Sequence, residues 1–205
     1  MGGLRESKKR ETRQRLSNVA TRLFFARGFE AVTVDEIAAA AGVSKPTVFN
    51  YFPRKEDLFI DREEDAKALL REALAGKPRE QSAIDSLRAL VDRLRAEKHP
   101  FARVDGETVG WWNVVAASPS LQARLREIGD EVVESLATEL AGSEPDGAAR
   151  LVAGMIVVTW RTAYTEAMRA FQQGSSVKKA NLAFVELIER GFVAVQAAAA
   201  RGSRR

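Results

Sequence analysis

Apolar residues recur along this chain every three or four positions, the spacing of helices that bury one face, and no stretch is organised by the alternation of a strand. Leu16, Val19, Leu23 and Phe24 mark the inner face of a first helix from about Ser7 to Arg27, and Gly28 offers a left-handed residue to end it. Thr33 then caps a second helix. Glu36, three residues on, completes a capping box, Ile37 and Ala38 face inward, and Gly42 closes the helix. Ser44 caps a third, whose first turn tolerates Pro46 and which Pro53 stops. A fourth is expected from Lys55 to about Leu74, broken by Gly76 and Pro78. Further helices are expected at about 80–98, 105–117, 120–141, 146–172 and 177–199, with Ser120 and Asp146 as N-caps. The run Ala197 to Ala200 and the five residues after it read as a fraying tail. The expectation is an all-α chain of about nine helices, with a three-helix N-terminal domain over 1–54 and a helical bundle over 55–205.

Composition narrows this picture. The chain has 205 residues, 45% hydrophobic and 29% charged, an ordinary globular balance. The net charge of +4 is a weak signal, but its distribution is not. Between Leu4 and Gly28 stand Arg5, Lys8, Lys9, Arg10, Arg13, Arg15, Arg22 and Arg27 against only Glu6 and Glu11. There is no cysteine, and His99 is the only histidine, so disulfides, thiol chemistry and transition-metal sites are not expected, and no cofactor is implied. The N-terminus lacks the apolar stretch of a signal peptide. The apolar run from Leu151 to Val158 is closed by Trp160, Arg161 and Glu166, short of the roughly 18 residues of a membrane span. The expectation is a soluble cytoplasmic protein with no membrane partner.

The second and third helices carry the chemistry. Two short helices joined at a small residue form a helix-turn-helix, and Gly42 supplies the turn, with Ala38 and Ala41 allowing close crossing and Ile37, Val43 and Val48 a small core. Such a second helix enters the major groove of DNA by its N-terminal part. Thr47 suits a phosphate or a thymine methyl, Asn50 an adenine edge, and Lys45 a guanine or a phosphate. Tyr51 suits a phosphate through its hydroxyl. Lys55, at the expected start of the next helix, could offer both charge and backbone N–H groups to a phosphate.

These residues resemble the DNA-binding domain of the TetR family of transcriptional regulators. The likeness lies in LFFARGFEAVTV after the basic first helix, in IAAAAGVSKPTVFNYF, and in Lys55-Glu56-Asp57-Leu58, and it covers about residues 10–60. The resemblance implies DNA contacts at Thr33, Ser44, Lys45, Thr47, Phe49, Asn50, Tyr51 and Lys55. Many members carry an aromatic residue or histidine where Asn50 stands, which leaves the base read there open. The resemblance also implies a homodimer on a palindromic operator, usually as a repressor, with recognition helices about 34–36 Å apart. Phosphate neutralisation would make its affinity fall steeply with salt.

In the C-terminal half, Leu182, Val185, Ile188, Phe192 and Val195 form one apolar stripe of the last helix, and Phe184, Leu187, Gly191 and Ala194 a second. A helix apolar on two sides needs a second surface. Leu151, Met155 and Val158 give the preceding helix a similar breadth beside Val152, Ile156 and Thr159. Two copies of the pair would make a four-helix dimer seam over Leu151, Met155, Val158, Val185, Ile188, Phe192 and Val195. The alternative is one well-buried monomer core. Trp111, Trp112 and Trp160 are candidates to line an apolar effector pocket, with Phe101, Thr108, Asn113, Arg161, Tyr164 and Met168. Trp111 and Trp112 point about 100° apart on a helix, so both are not expected in one core. The segment WWNVVAASPSLQARLREIGDEVVESLATEL is similar to the C-terminal domain of the acyl-CoA-like ligand-binding subgroup, which implies a hydrophobic effector. His99 is expected at a helix end.

An enzyme is the competing class. The carboxylates Glu63-Glu64-Asp65 and Glu127 to Glu134 lie at helical surface spacing beside basic residues, and there is no phosphate loop, nucleophile elbow or metal spacing. A second alternative is a DNA-binding dimer that answers to no effector.

Overall fold

A computed structural model describes residues 2–75 and 81–202. The described residues form nine α-helices, two one-turn 3-10 helices and no strand. The expected breakers Gly76 and Pro78 and the end of the expected tail, Ser203 to Arg205, lie outside them. Packing divides the chain into two compact units. The first runs to Glu63 and includes Gly110–Arg126; the second holds Glu64–Val109 and the chain from Glu127 on.

The first unit is built on α1 (Gly2–Arg27), α2 (Val34–Ala41) and α3 (Lys45–Tyr51), with parts of α6 (Gly106–Ala116) and α7 (Pro119–Ala141). Leu16, Ala20 and Phe24 of α1 are fully buried with Val32, Ile37, Val48 and Phe52, while Leu23 is half-buried. The Phe24 ring meets Phe29 at 4.8 Å and Phe59 at 5.6 Å between centroids. Gly42 ends α2 at φ 67°, a left-handed conformation that favours glycine. The Val43 N–H then returns to the Ala38 carbonyl at 3.0 Å, which turns the chain sharply into α3.

The expected helix from Lys55 is not continuous. A 3-10 turn at Glu56–Leu58 is followed by a turn at Phe59 and a bend at Ile60, and α4 runs only over Glu63–Ala75. The reason is burial: Leu58, Phe59 and Ile60 are all buried, and three successive residues of an α-helix, about 100° apart, cannot share one face. The tighter 3-10 winding turns all three inward, and Ser17 Oγ fixes the chain just beyond by donating to Asp61 Oδ2 at 2.5 Å. Arg124 of α7 closes the turn, with Nε donating to Asp57 Oδ1 and an η-nitrogen to Glu63 Oε2, both at 2.9 Å. The N-cap of α7 is Ser118 and not Ser120: Ser118 Oγ accepts the Leu121 N–H at 3.2 Å, because Pro119 takes the first helical position. Ser120 Oγ instead donates to Glu30 Oε1.

In the second unit, α5 (Ala83–Ala96) begins at the cap Ser82, α8 (Gly147–Gln172) begins at Asp146 as expected, and α9 (Val177–Gly202) packs along α8. The last helix, expected to end near 199, runs on to Gly202. Gly191 lets α8 and α9 close together: a Cβ there would stand 2.1 Å from Thr159 Cγ2. Asn181 of α9 both donates to and accepts from the Val104 backbone, at 2.8 and 2.9 Å, tying down the chain that precedes α6.

Candidate nucleic-acid interface

The local sequence of α3 fixes both of its ends. Ser44 Oγ accepts the Thr47 N–H at 3.3 Å and lies 2.8 Å from Thr47 Oγ1. At the other end the Phe52 N–H reaches the Val48 carbonyl at 2.9 Å before Pro53. Val48 and Phe52 anchor the inner side. Lys45, Pro46, Phe49 and Asn50 are exposed together over about 140° of helix circumference. Phe49 keeps 41% of its surface open, an uncommon state for a phenylalanine on so short a helix. Thr47 and Tyr51, four residues apart, flank this arc half-buried.

Arg13 of α1 holds the C-terminal end of the helix. An η-nitrogen donates to the Tyr51 carbonyl at 2.6 Å, and the guanidinium lies 4.1 Å above the Phe52 ring. A cation at a helix C-terminus also meets the negative end of its dipole. In the sequence Arg13 is one of the basic residues of the first helix. Its partner is 38 positions away, so no local signal revealed this role.

Thr33 forms the expected capping box: its Oγ1 accepts the Glu36 N–H at 3.2 Å while Glu36 Oε2 accepts the Thr33 N–H at 2.8 Å. Arg27 adds an ion pair to Glu36 at 2.7 Å. The Thr33 backbone N–H, then Arg27 and the Thr33 hydroxyl, hold the Glu36 carboxyl at about 2 instead of the ordinary 4.5.

Lys55 departs from expectation. Its ammonium donates to the Phe29 carbonyl at 2.6 Å and sits 4.2 Å from the Phe29 ring centroid. Burial lowers its pKa, against raising influences from Glu30, Glu56 and Glu36. Its charge is used inside the fold, which closes the loop between α1 and α2, and is not presented with the α3 arc. Lys45 does stand on the arc, with Nζ donating to Asp35 Oδ2 of α2 at 2.8 Å.

The proposed pocket residues separate between the units. Trp111, Trp112 and Asn113 fall in the first; Phe101, Thr108, Trp160, Tyr164 and Met168 fall in the second. Trp111 stacks on Phe59 at 5.2 Å and donates to its carbonyl at 3.3 Å, with Trp112 edge-on at 5.0 Å. Trp160 donates to the Phe101 carbonyl at 2.9 Å, and the Tyr164 hydroxyl lies 3.0 Å from the carbonyls of Pro100 and Arg103. Thr108 caps α6 reciprocally with Asp105. His99 caps the 3-10 turn Pro100–Ala102, Nδ1 accepting the Phe101 N–H at 3.2 Å. Polar ends of these aromatics thus bind the protein's own backbone. Neither of two surface clefts on the first unit, of about 660 and 220 Å³, is lined by a tryptophan.

The residues expected at a dimer seam divide by burial. Ile188, Phe192 and Val195 have no exposed surface and belong to the core of the second unit, with Phe184 and Ala180; Val185 and Met155 are half-buried. A residue sealed by its own chain cannot meet a second copy. Large apolar side chains that face outward are Leu151 and Val158 on α8, 63% and 49% exposed, and Val177, Leu182 and Val193 on α9, 40%, 54% and 59% exposed. Among the described residues no helix is long and apolar enough to cross a membrane.

Residues 16–61 match the family described as bacterial regulatory proteins, tetR family. The HTH-type transcriptional regulator TcmR of Streptomyces glaucescens is 32% identical over 147 residues, 69% of this chain and 64% of TcmR, so the match spans somewhat less than two thirds of that relative. The HTH-type transcriptional activator FasR of Mycolicibacterium smegmatis is 42% identical over 50 residues, 24% of this chain and 23% of FasR. Among solved structures, NalD of Pseudomonas aeruginosa, the secondary repressor of the MexAB-OprM multidrug efflux pump, superposes with a TM-score of 0.57 at 18% identity, covering 89% of this chain and 97% of NalD. GusR of Salmonella enterica gives 0.52 at 18% identity, over 92% of this chain and 95% of GusR. With their helix-turn-helix, residues 16–61 belong to the tetR family of bacterial regulatory proteins, and the longer chain is similar to its transcriptional regulators.

Proposed function

We propose that the protein is a cytoplasmic transcriptional repressor that binds a palindromic double-stranded DNA operator as a homodimer and releases it when a small hydrophobic effector binds. DNA reading is assigned to residues 1–54, and dimerisation and effector binding to residues 55–205. The observation that carries the reading is the exposed arc of Lys45, Phe49 and Asn50 on a helix capped at Ser44 and held at its far end by Arg13. A rigid helix with an amide and a cation open to solvent can hydrogen-bond base edges in a major groove. Leu151, Val158, Leu182 and Val193 supply the outward apolar side chains that a second copy would cover. The effector would meet the apolar faces of Phe101, Trp160 and Met168 and act through α4, whose first residue, Glu63, shares Arg124 with Asp57. A coupling of about 1–3 kcal/mol changes operator affinity by roughly 5–150-fold.

Selection of bound duplexes from a random pool tests this. The expected product is an inverted repeat whose half-site centres lie about 10–10.5 base pairs, or a multiple, apart. A pool that enriches no sequence contradicts it. The engaged polar ends of Trp111, Trp160 and Tyr164 favour one second reading, a regulator whose C-terminal half only dimerises. Hydrophobic compounds that bind the protein but leave operator affinity unchanged would decide for that reading.

A further inference from the structure

Asp35 was not a candidate from sequence, yet it is the group that Lys45 touches. It sits in the first turn of α2 and accepts from Lys45 Nζ at 2.8 Å, the two side chains 66% and 49% exposed. A pair this open adds little to stability. Asp35 is not needed to cap α2 either, because Thr33 and Glu36 already form the capping box. What the carboxylate changes is the charge of the exposed arc. It gives Lys45, the one cation on that arc among the described residues of α3, an internal counterion.

Resting on the DNA-binding reading, we propose that Asp35 sets specificity by holding Lys45 back from phosphates and yielding it to a base edge that offers an acceptor and a donor together. A bare lysine gains from any phosphate, since each contact releases a condensed counterion whatever the sequence. Lys45 already has its anion, so a phosphate offers only an exchange and meets repulsion from Asp35. A base edge is different. Guanine O6 and N7, or adenine N7, accept from the ammonium, while cytosine N4 or adenine N6 donates to the carboxylate. A base edge that presents both at the spacing of the pair satisfies the two charges together, which a phosphate, an acceptor only, cannot do. Asp35 therefore weakens binding to arbitrary DNA more than binding to the operator.

The test compares the full-length protein with its Asp35→Asn and Asp35→Ser variants, both of which keep the capping box. Each is titrated with the duplex enriched by the wild type and with a scrambled duplex across a salt series, after circular dichroism confirms equal helicity. Freed Lys45 should steepen the slope of log affinity against log salt on scrambled DNA by about 0.9 for each subunit engaged. At 0.15 M salt this corresponds to roughly fivefold tighter scrambled binding per subunit, with a matching fall in the ratio of selected to scrambled affinity. In a Lys45→Gln background, the Asp35→Asn change should lose this effect. An unchanged slope and ratio in both Asp35 variants overturns the proposal, as does the same slope change with Lys45 removed. If the wild type enriches no duplex at all, the DNA-binding reading itself has failed, a result distinct from an Asp35 variant that leaves binding unaltered.

Discussion

The third helix and the α8–α9 pair show the two ways side chains on a helix acquire their roles. α3 has seven residues, and its ends and outward arc follow from neighbours within a few positions: Ser44, Pro46, Val48 and Pro53. α8 and α9 have 26 residues each, and apolar side chains lie on more than one side of both. Which side turns inward is decided by contacts far apart in sequence. Gly191 admits Thr159, and Phe184 meets Trp160 at 6.0 Å and Tyr164 at 6.2 Å. Short, capped elements carry their orientation in local chemistry, whereas long apolar ones receive theirs from the packing they join.

The largest effect that can break this comparison lies in α9. Phe192→Ala should destabilise the chain by about 3–5 kcal/mol in urea denaturation, as expected for a sealed aromatic. Val193→Ser, one residue on and 59% exposed, should change monomer stability by less than about 0.5 kcal/mol and weaken self-association in sedimentation. If Phe192→Ala left stability intact and only dissociated a dimer, the assignment of the two faces would be reversed.

A smaller effect separates the two lysines. Lys55→Ala leaves the Phe29 carbonyl without its donor and should cost about 1–2 kcal/mol of stability, with little change in the salt slope of DNA binding. Lys45→Gln should leave stability within about 0.5 kcal/mol and weaken binding to the selected duplex more than to a scrambled one. A salt slope that falls by about 0.9 per subunit in Lys55→Ala would return that lysine to the DNA-contacting set.

The smallest is a pH effect at the α2 cap. Glu36 has a folded pKa of about 2 against an ordinary 4.5, a depressed value, so its contribution is full above about pH 4.5 and is lost as pH falls toward 2. Wild type should therefore lose part of its stability across that window relative to its value at pH 6. Glu36→Gln should lack that part of the acid response, and parallel acid titrations of the two proteins followed by circular dichroism would refute the linkage.

The same contrast explains what could be read from the chain. Helix ends were legible at Thr33, Gly42, Ser44 and Asp146 because capping is a matter of residues three positions apart. The start of α4 was not. A helix-forming pattern follows Lys55, but burial of Leu58, Phe59 and Ile60 together overrides it. Within the interface, the exposure of Lys45, Phe49 and Asn50 followed from the helix period and Val48. Arg13, Asp35 and the inward turn of Lys55 depend on partners 38, 10 and 26 positions away, brought near only by the folded three-helix arrangement.

The central claim is that the exposed arc of α3 reads base edges, and Asn50 tests it most directly. Fluorescence anisotropy would compare wild type and Asn50→Ala on the selected duplex and on a scrambled one, with helicity shown to be unchanged. The predicted result is a loss of roughly 5–150-fold on the selected duplex, the range of one good base contact, with scrambled binding essentially unaltered. Equal affinity of both proteins for the selected duplex, or an equal loss on both duplexes, would contradict the reading.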